Sequence, residues 1–195
     1  IVFVGAYFLI FGSAITGGVL ARLGSRGQGA SRYSVRGEIA RGGMGAILDV
    51  YDSDLRRRLA MKVVLDRDSG TADSAARTVD PATLARFLEE AQVTGQLDHP
   101  GIVPVHELGL DANGQVYFTM RLVRGRDLES VFTLASRGEE GWTTTRVLGV
   151  LLKVCEAMAY AHSKGVVHRD LKPANVMVGR FGEVYVMDWG LARVR

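Results

Sequence analysis

The hydrophobic and polar positions change period several times along the chain, and each change predicts a different element. Residues 1–21 (IVFVGAYFLIFGSAITGGVLA) hold no charged side chain. That predicts a membrane-crossing helix, since about 20 apolar residues span a hydrocarbon layer of roughly 30 Å. From Tyr33 the pattern shortens to strand-like runs, Tyr33–Ala40, Ala46–Tyr51 and Arg58–Leu65, joined by a Gly-rich turn and a polar turn. Residues 66–78 are polar and predict a loop. Asp80 then precedes Pro81 as a cap and first-turn pair, with Leu84, Phe87, Leu88 and Ala91 at helical spacing. Ile102–Leu108 and Gln115–Val123 predict another strand pair, around the turn formed by Asp111, Ala112, Asn113 and Gly114. Helical character returns at Asp127. The longest helix is expected from Thr143 or Thr144 to about Ser163, stopped at Gly165, with Val147, Val150, Leu151, Val154, Met158 and Ala161 as its apolar set. A last strand pair, Val176–Val178 and Val184–Met187, flanks the turn Gly179–Gly182. A mostly antiparallel sheet with one helix, then a helical part with a small hairpin, is a two-lobed α+β plan.

Composition narrows this picture. The 195 residues suffice for one domain plus an appendage, and 47% apolar with 23% charged content is globular, not disordered. The net charge is only +3 and no basic stripe appears after the first forty residues, which argues against a nucleic-acid partner. A single cysteine, Cys155, excludes an internal disulfide framework. Its neighbours Leu151, Leu152, Val154 and Met158 predict a small thiol packed on a buried helix face.

Arg22, Arg26, Arg32 and Arg36 come directly after the apolar run with no acid before Glu38, so the positive-inside rule puts the rest of the chain in the cytoplasm. The expectation is a single-pass membrane protein with residues 22–32 as a basic linker. A signal peptide or a buried core element are the alternatives. The missing basic n-region and cleavage pattern weigh against the first. A helix apolar all round is unusual in so small a protein, which weighs against the second. The small pairs Ser13/Gly17 and Ala14/Gly18 would let two such helices approach as a homodimer. A first residue of Ile1 and an end at Arg195, inside an unfinished motif, read as two cuts in a longer protein.

Four motifs carry the chemistry. Val167-His168-Arg169-Asp170-Leu171-Lys172-Pro173-Ala174-Asn175 lies between the long helix and the last hairpin, and Asp188-Trp189-Gly190 begins thirteen residues after Asn175. Upstream are Arg41-Gly42-Gly43-Met44-Gly45-Ala46-Ile47, between two strands, and Leu59-Ala60-Met61-Lys62. In this order they resemble the catalytic loop, the D-F-G triplet, the Gly-rich loop and the V-A-I-K strand of protein kinases. The resemblance is to the eukaryotic-like serine/threonine kinases of bacteria and covers residues 33–195. It implies a kinase-like fold with a small lobe at 33–120, a hinge at 121–126 and part of a large lobe at 127–195. It also implies ATP with Mg²⁺ or Mn²⁺, and protein substrates bearing serine or threonine.

Site roles come from the same resemblance. Arg41, Gly42, Gly43, Met44 and Gly45 would form the loop over the phosphates, where glycine lets the backbone approach closely. Lys62 would contact the α- and β-phosphates and pair with Glu90, because Arg86-Phe87-Leu88-Glu89-Glu90-Ala91 matches the family's R-F-x-x-E-A. Glu89 lies about 100° away around that helix and is expected to face solvent. Asp170 would accept the hydroxyl proton or orient that hydroxyl, and Lys172 would touch the γ-phosphate as in the serine/threonine branch. Asp188 and Asn175 would each hold a metal ion. Ile47 and Ala60 would roof the adenine, Met177 would floor it, Met120 would be the gatekeeper before a hinge that includes Val123, and Asp127 would approach the ribose. For Ile47, Ala60, Met120 and Met177 plain core packing is an equal alternative.

The sequence departs from the pattern in places. Ala40 replaces the first glycine of G-x-G-x-x-G, and Trp189 replaces phenylalanine, where it is expected to pack against His168 and the helix carrying Glu90. The rest of the activation segment, with the phosphate that Arg169 would meet, is missing after Arg195, so the chain as given is expected to bind ATP poorly and to phosphorylate nothing. An active kinase is the leading reading. A silent pseudokinase scaffold and a small-molecule phosphotransferase are the alternatives, disfavoured because Lys62, Asp170 and Asp188 are all kept and the H-R-D-L-K-P-x-N run is intact.

Overall fold

The computed structural model describes residues 32–42, 45–65, 79–111 and 113–194. These divide into two compact units. One holds the described residues up to Ala91 together with Val105–Leu122, the other Gln92–Pro104 and the residues from Val123 onward.

The first unit is built on strands β1 (Tyr33–Gly42), β2 (Gly45–Asp52), β3 (Arg57–Val64), β4 (Val105–Leu110) and β5 (Val116–Arg121), with helix α1 (Pro81–Gly95), which belongs to this unit as far as Ala91, between β3 and β4. The strands form one antiparallel sheet in the order β1-β2-β3-β5-β4. Period-two alternation separates two faces. Val50, Leu59, Met61 and Tyr117 make a core on one face, with Tyr33, Leu48 and Val63 packed around it. Phe118 points the other way and meets Phe87 of α1, ring centroids 5.0 Å apart. Asp80 caps α1 as expected, its carboxylate accepting from the Thr83 N–H at 3.1 Å.

The start of β1 is clasped across this sheet. Arg32 donates from Nε and Nη2 to the two oxygens of Asp52 at 2.8 and 2.7 Å, and lies 3.6 Å from Glu107 on β4. Tyr33 donates its hydroxyl proton to the same Glu107. Asp52 is fully buried and also accepts from the Asp54 and Leu55 N–H groups. The Arg32 guanidinium holds the Asp52 carboxyl below the usual carboxylate range. A depressed folded-state pKa stabilises the fold above the unfolded value, near 3.9, and that contribution fades as pH falls through the folded value. Asp52→Asn is therefore expected to cost about 2 kcal/mol at neutral pH. Urea melts below about pH 4 should show the gap to wild type closing.

The second unit contains strand β6 (Gly125–Asp127), helix α2 (Leu128–Arg137), helix α3 (Thr144–Ser163), β7 (Val166–Val167), β8 (Val176–Gly179), β9 (Val184–Val186) and β10 (Arg193–Val194). β6, β8 and β9 form a three-stranded sheet, and β7 pairs with β10. Asp127 caps α2 through the Ser130 N–H at 2.7 Å, and Gly138 ends it at φ +64°. Thr143 caps α3, whose chain leaves through Lys164 and Gly165, the latter at φ +76°. Val147, Val150, Val154, Ala157 and Ala161 bury one side of α3 among Val93, Leu97, Ile102, Val131, Val166, Val186 and Trp189. β6 and β8 touch so closely that a Cβ at Gly125 would sit 2.0 Å from the Val178 carbonyl oxygen, so only glycine fits there.

Several expectations need correction. Cys155 is exposed, not packed. It sits about 100° from Val154 around α3, on the outward side with Leu148 and Leu152, each 60% exposed. The strand expected at Ile102–Leu108 begins at Val105, after Pro104, which has no N–H for a ladder; Ile102 makes only an isolated bridge to Val186. β5 stops at Arg121 rather than Val123. The strands β6, β7 and β10 are too short for periodicity to reveal. The apolar run 1–21, linker residues 22–31, loop residues 66–78 and the pair Gly43 and Met44 lie outside the described residues. Among the described residues no helix is long and apolar enough to cross a membrane.

Candidate active site

In the first unit the sheet register decides which side chains share a face. Ile47 pairs with Lys62, and Ala60 with Met120. With Lys62 two residues from Ala60, all four lie on the face that carries Phe118, opposite the Val50 core. Lys62 meets Glu90 from α1, its ammonium 2.5 and 2.6 Å from the two carboxylate oxygens. Both residues are buried, at 9% and 6% exposure, while Glu89 is exposed. The choice of Glu90 over Glu89 follows from the helix: Glu90 shares its buried side with Phe87 and Ala91. A buried lysine needs such a partner, because an unpaired charge there would be strongly penalised.

The glycines of the loop have different reasons to be glycine. A Cβ on Gly45 would lie 2.1 Å from the Val63 carbonyl oxygen, so β2–β3 packing alone forbids a side chain. A Cβ on Gly42 would meet nothing within 4 Å, leaving room above the strand for something else. Gly45→Ala is expected to lower stability by about 1–3 kcal/mol. Gly42→Ala should leave thermal melting nearly unchanged and weaken nucleotide binding instead, which calorimetric titration with ATP would read. Arg41 is engaged with Glu38, at 3.0 and 2.6 Å.

In the second unit, Asp170, Lys172 and Asn175 converge. Lys172 Nζ lies 2.8 Å from Asp170 Oδ2, and Asn175 Nδ2 donates to the same oxygen at 3.1 Å and to the Asp170 carbonyl at 2.9 Å. The Lys172 ammonium, above all, holds the Asp170 carboxyl below its ordinary range, and Asp170 raises Lys172 in return. Asp170 is thus ionised at neutral pH and is a weak base, better suited to orienting a hydroxyl than to removing its proton early.

His168, which sequence reading placed only in the motif and as a packing partner of Trp189, joins these groups. It is fully buried. Its Nδ1 accepts from the Asp170 N–H at 3.3 Å, which leaves Nε2 the proton to donate to the Met187 carbonyl at 2.9 Å. Met187 in turn donates its N–H to the Asn175 carbonyl at 2.8 Å. A closed circuit therefore runs Asp170, His168, Met187, Asn175 and back. Its Met187 corner immediately precedes Asp188, which sits at φ +59°. Trp189 packs on His168 as expected, ring centroids 4.6 Å apart. Arg169, also at positive φ, donates from Nε to the Leu191 carbonyl at 2.6 Å.

The remaining predicted residues are spread over β6, β8 and the segment before them. Met177 on β8 pairs with Asp127 on β6. Asp127 spends one oxygen on capping α2. Val123 lies half-buried in the segment between β5 and β6. Among the described residues no group of three or more His, Cys, Asp and Glu is placed to hold a metal alone. The donor set nonetheless fits Mg²⁺, which is usually held by one or two carboxylates plus substrate phosphates. Asp188 supplies a carboxylate, and Asn175 has its amide nitrogen spent on Asp170, leaving the side-chain oxygen to ligate.

Comparison with known proteins agrees with this geometry. A protein kinase domain model matches residues 33–195. The serine/threonine-protein kinase PknD of Protochlamydia amoebophila is 37% identical over 169 residues. PknD of Chlamydia trachomatis serovar D is 38% identical over 168 residues, and PknD of Chlamydia caviae 34% over 168. Each comparison covers 83% of this chain but only 16–17% of the relative, so the chain spans about a sixth of these relatives' length.

Proposed function

Because the chain belongs to the protein kinase family, we propose that the whole protein transfers the γ-phosphate of ATP to serine or threonine hydroxyls of other proteins. The observation that carries this reading is the convergence of Lys172 and Asn175 on one oxygen of Asp170. Asp170 orients the acceptor hydroxyl, whose oxygen attacks the γ-phosphorus while the bond to the bridging oxygen of ADP breaks. In such a loose transition state the proton leaves late, so a carboxylate of lowered basicity is adequate. Lys172 neutralises charge on the transferring phosphoryl group. Lys62, fixed by Glu90, holds the α- and β-phosphates, and the Gly-rich segment covers them. Ile47, Ala60, Met120, Val123 and Met177 contact the base, and Asp127 the ribose. Asn175 and Asp188 hold Mg²⁺ or Mn²⁺, which when bound neutralises phosphate charge and fixes the phosphate geometry.

The same proposal places the protein in a membrane through residues 1–21, single-pass, with the kinase domain in the cytoplasm. What supports this is the uncharged run with four arginines after it and before the first acid. The small-residue pairs in that run support association of two copies there.

The test is phosphorylation of the full-length protein and a generic Ser/Thr substrate with labelled ATP and Mg²⁺, beside an Asp170→Asn control. Label on serine or threonine in the wild type alone supports the reading. ATP binding without transfer would replace it with a scaffold that keeps kinase motifs.

A further inference from the structure

We propose that Trp189 is a positioning residue whose indole N–H latches the turn carrying Asp188 into its metal-holding form. This rests on the kinase reading above and adds a device that phenylalanine, the usual occupant of that position, cannot supply.

Asp188 is held at φ +59°, in the left-handed region that a residue with a Cβ adopts only when its surroundings impose it. Three bonds surround it. His168 donates to the Met187 carbonyl, and Met187 donates to the Asn175 carbonyl. On the far side, Trp189 Nε1 donates to the Val186 carbonyl at 3.3 Å. This last bond closes the four residues 186–189 into a ring with Asp188 inside it. Beyond the ring, the Ala192 N–H returns to the Trp189 carbonyl at 2.9 Å.

The bond lies where it counts. Trp189 is 2% exposed and Val186 wholly buried, so water cannot replace the indole if the donor is lost. Phenylalanine would keep an aromatic ring against His168 yet has no proton to give to the Val186 carbonyl. Rotating the turn so that Asp188 left its place would break the bond and pull the indole out of a core shared with Val93, Leu97 and Val154. Packing and hydrogen bond thus oppose the same motion; Trp189→Phe removes the second outright and trims the first by the smaller ring.

The experiment compares full-length wild type and Trp189→Phe by hydrogen–deuterium exchange at the Met187 and Ala192 amides, and by Mg²⁺ titration of phosphoryl transfer. The expected result is exchange about fivefold faster at those two amides, the factor that one ordinary buried hydrogen bond provides. The half-saturating Mg²⁺ concentration should rise by a similar factor, more than kcat falls. Unchanged exchange and Mg²⁺ dependence would overturn the latch. So would faster exchange spread evenly over α3, which would mark a general loss of packing. If the wild type transfers no phosphate, the kinase reading fails, and the exchange comparison still decides the latch alone.

Discussion

Lys62→Met is expected to lower the stability of the protein by about 3–5 kcal/mol and to abolish measurable phosphoryl transfer. The first effect comes from what remains. Glu90, 6% exposed, would keep its charge inside the sheet–helix interface without the ammonium that now touches both its oxygens. The carboxyl would lose the ion pair that offsets its burial, and that loss costs free energy. The double variant Lys62→Met/Glu90→Gln separates stability from function. Removing both charges leaves no uncompensated one, so urea denaturation should recover most of the lost stability. Transfer should stay silent in the double variant, because no cation remains to position the phosphates. Recovery of transfer along with stability would show that the pair serves only to hold the sheet to the helix.

The second large effect is expected at Asp170, and it should appear in rate with little change in melting temperature. The side chain is only half-buried, so Asp170→Asn keeps the shape and the contact with Asn175 at little structural cost. Losing the carboxylate should slow transfer by about 10³-fold, the middle of the range for a positioned proton acceptor. Lys172→Met offers the complementary reading. The Lys172 ammonium is the largest cause of Asp170's lowered pKa. Without it the carboxyl should move back toward its ordinary range, and the acid limb of the kcat/KM profile should shift upward in pH. A profile that stays in place while the rate falls would mean that Lys172 acts on the phosphoryl group alone.

Much of the fold and site was legible in the sequence because the legible parts repeat a period or a spacing. The sheet strands are short strand-like runs bounded by Gly-rich and polar turns, and α3 carries its apolar set at helical spacing, so element type came from runs, turns and period together. Glu90 was picked out by its match to the family's R-F-x-x-E-A, with Glu89 about 100° away around the helix, and the structure buries the one and exposes the other. Cys155 went wrong for a related reason. Apolar residues ring more of α3 than one buried arc needs, so neighbours in sequence could not say which side the thiol took. The role of His168 as a corner of the Asp170–Asn175 circuit was not legible at all. It depends on main-chain N–H and C=O groups, which every residue carries and no sequence pattern marks. Nor did the glycines reveal that Gly45 is required by the neighbouring strand while Gly42 is not, since the distinction lies in the partner's backbone and not in the residue itself.

The outward side of α3 has a practical use. Cys155 is the sole thiol in these 195 residues and stands in solvent on a capped twenty-residue helix. A maleimide dye or spin label would thus attach at one known address on a rigid rod. From there it would report, as a change in distance, any rearrangement of the segment around Asp188 that nucleotide or metal brings about.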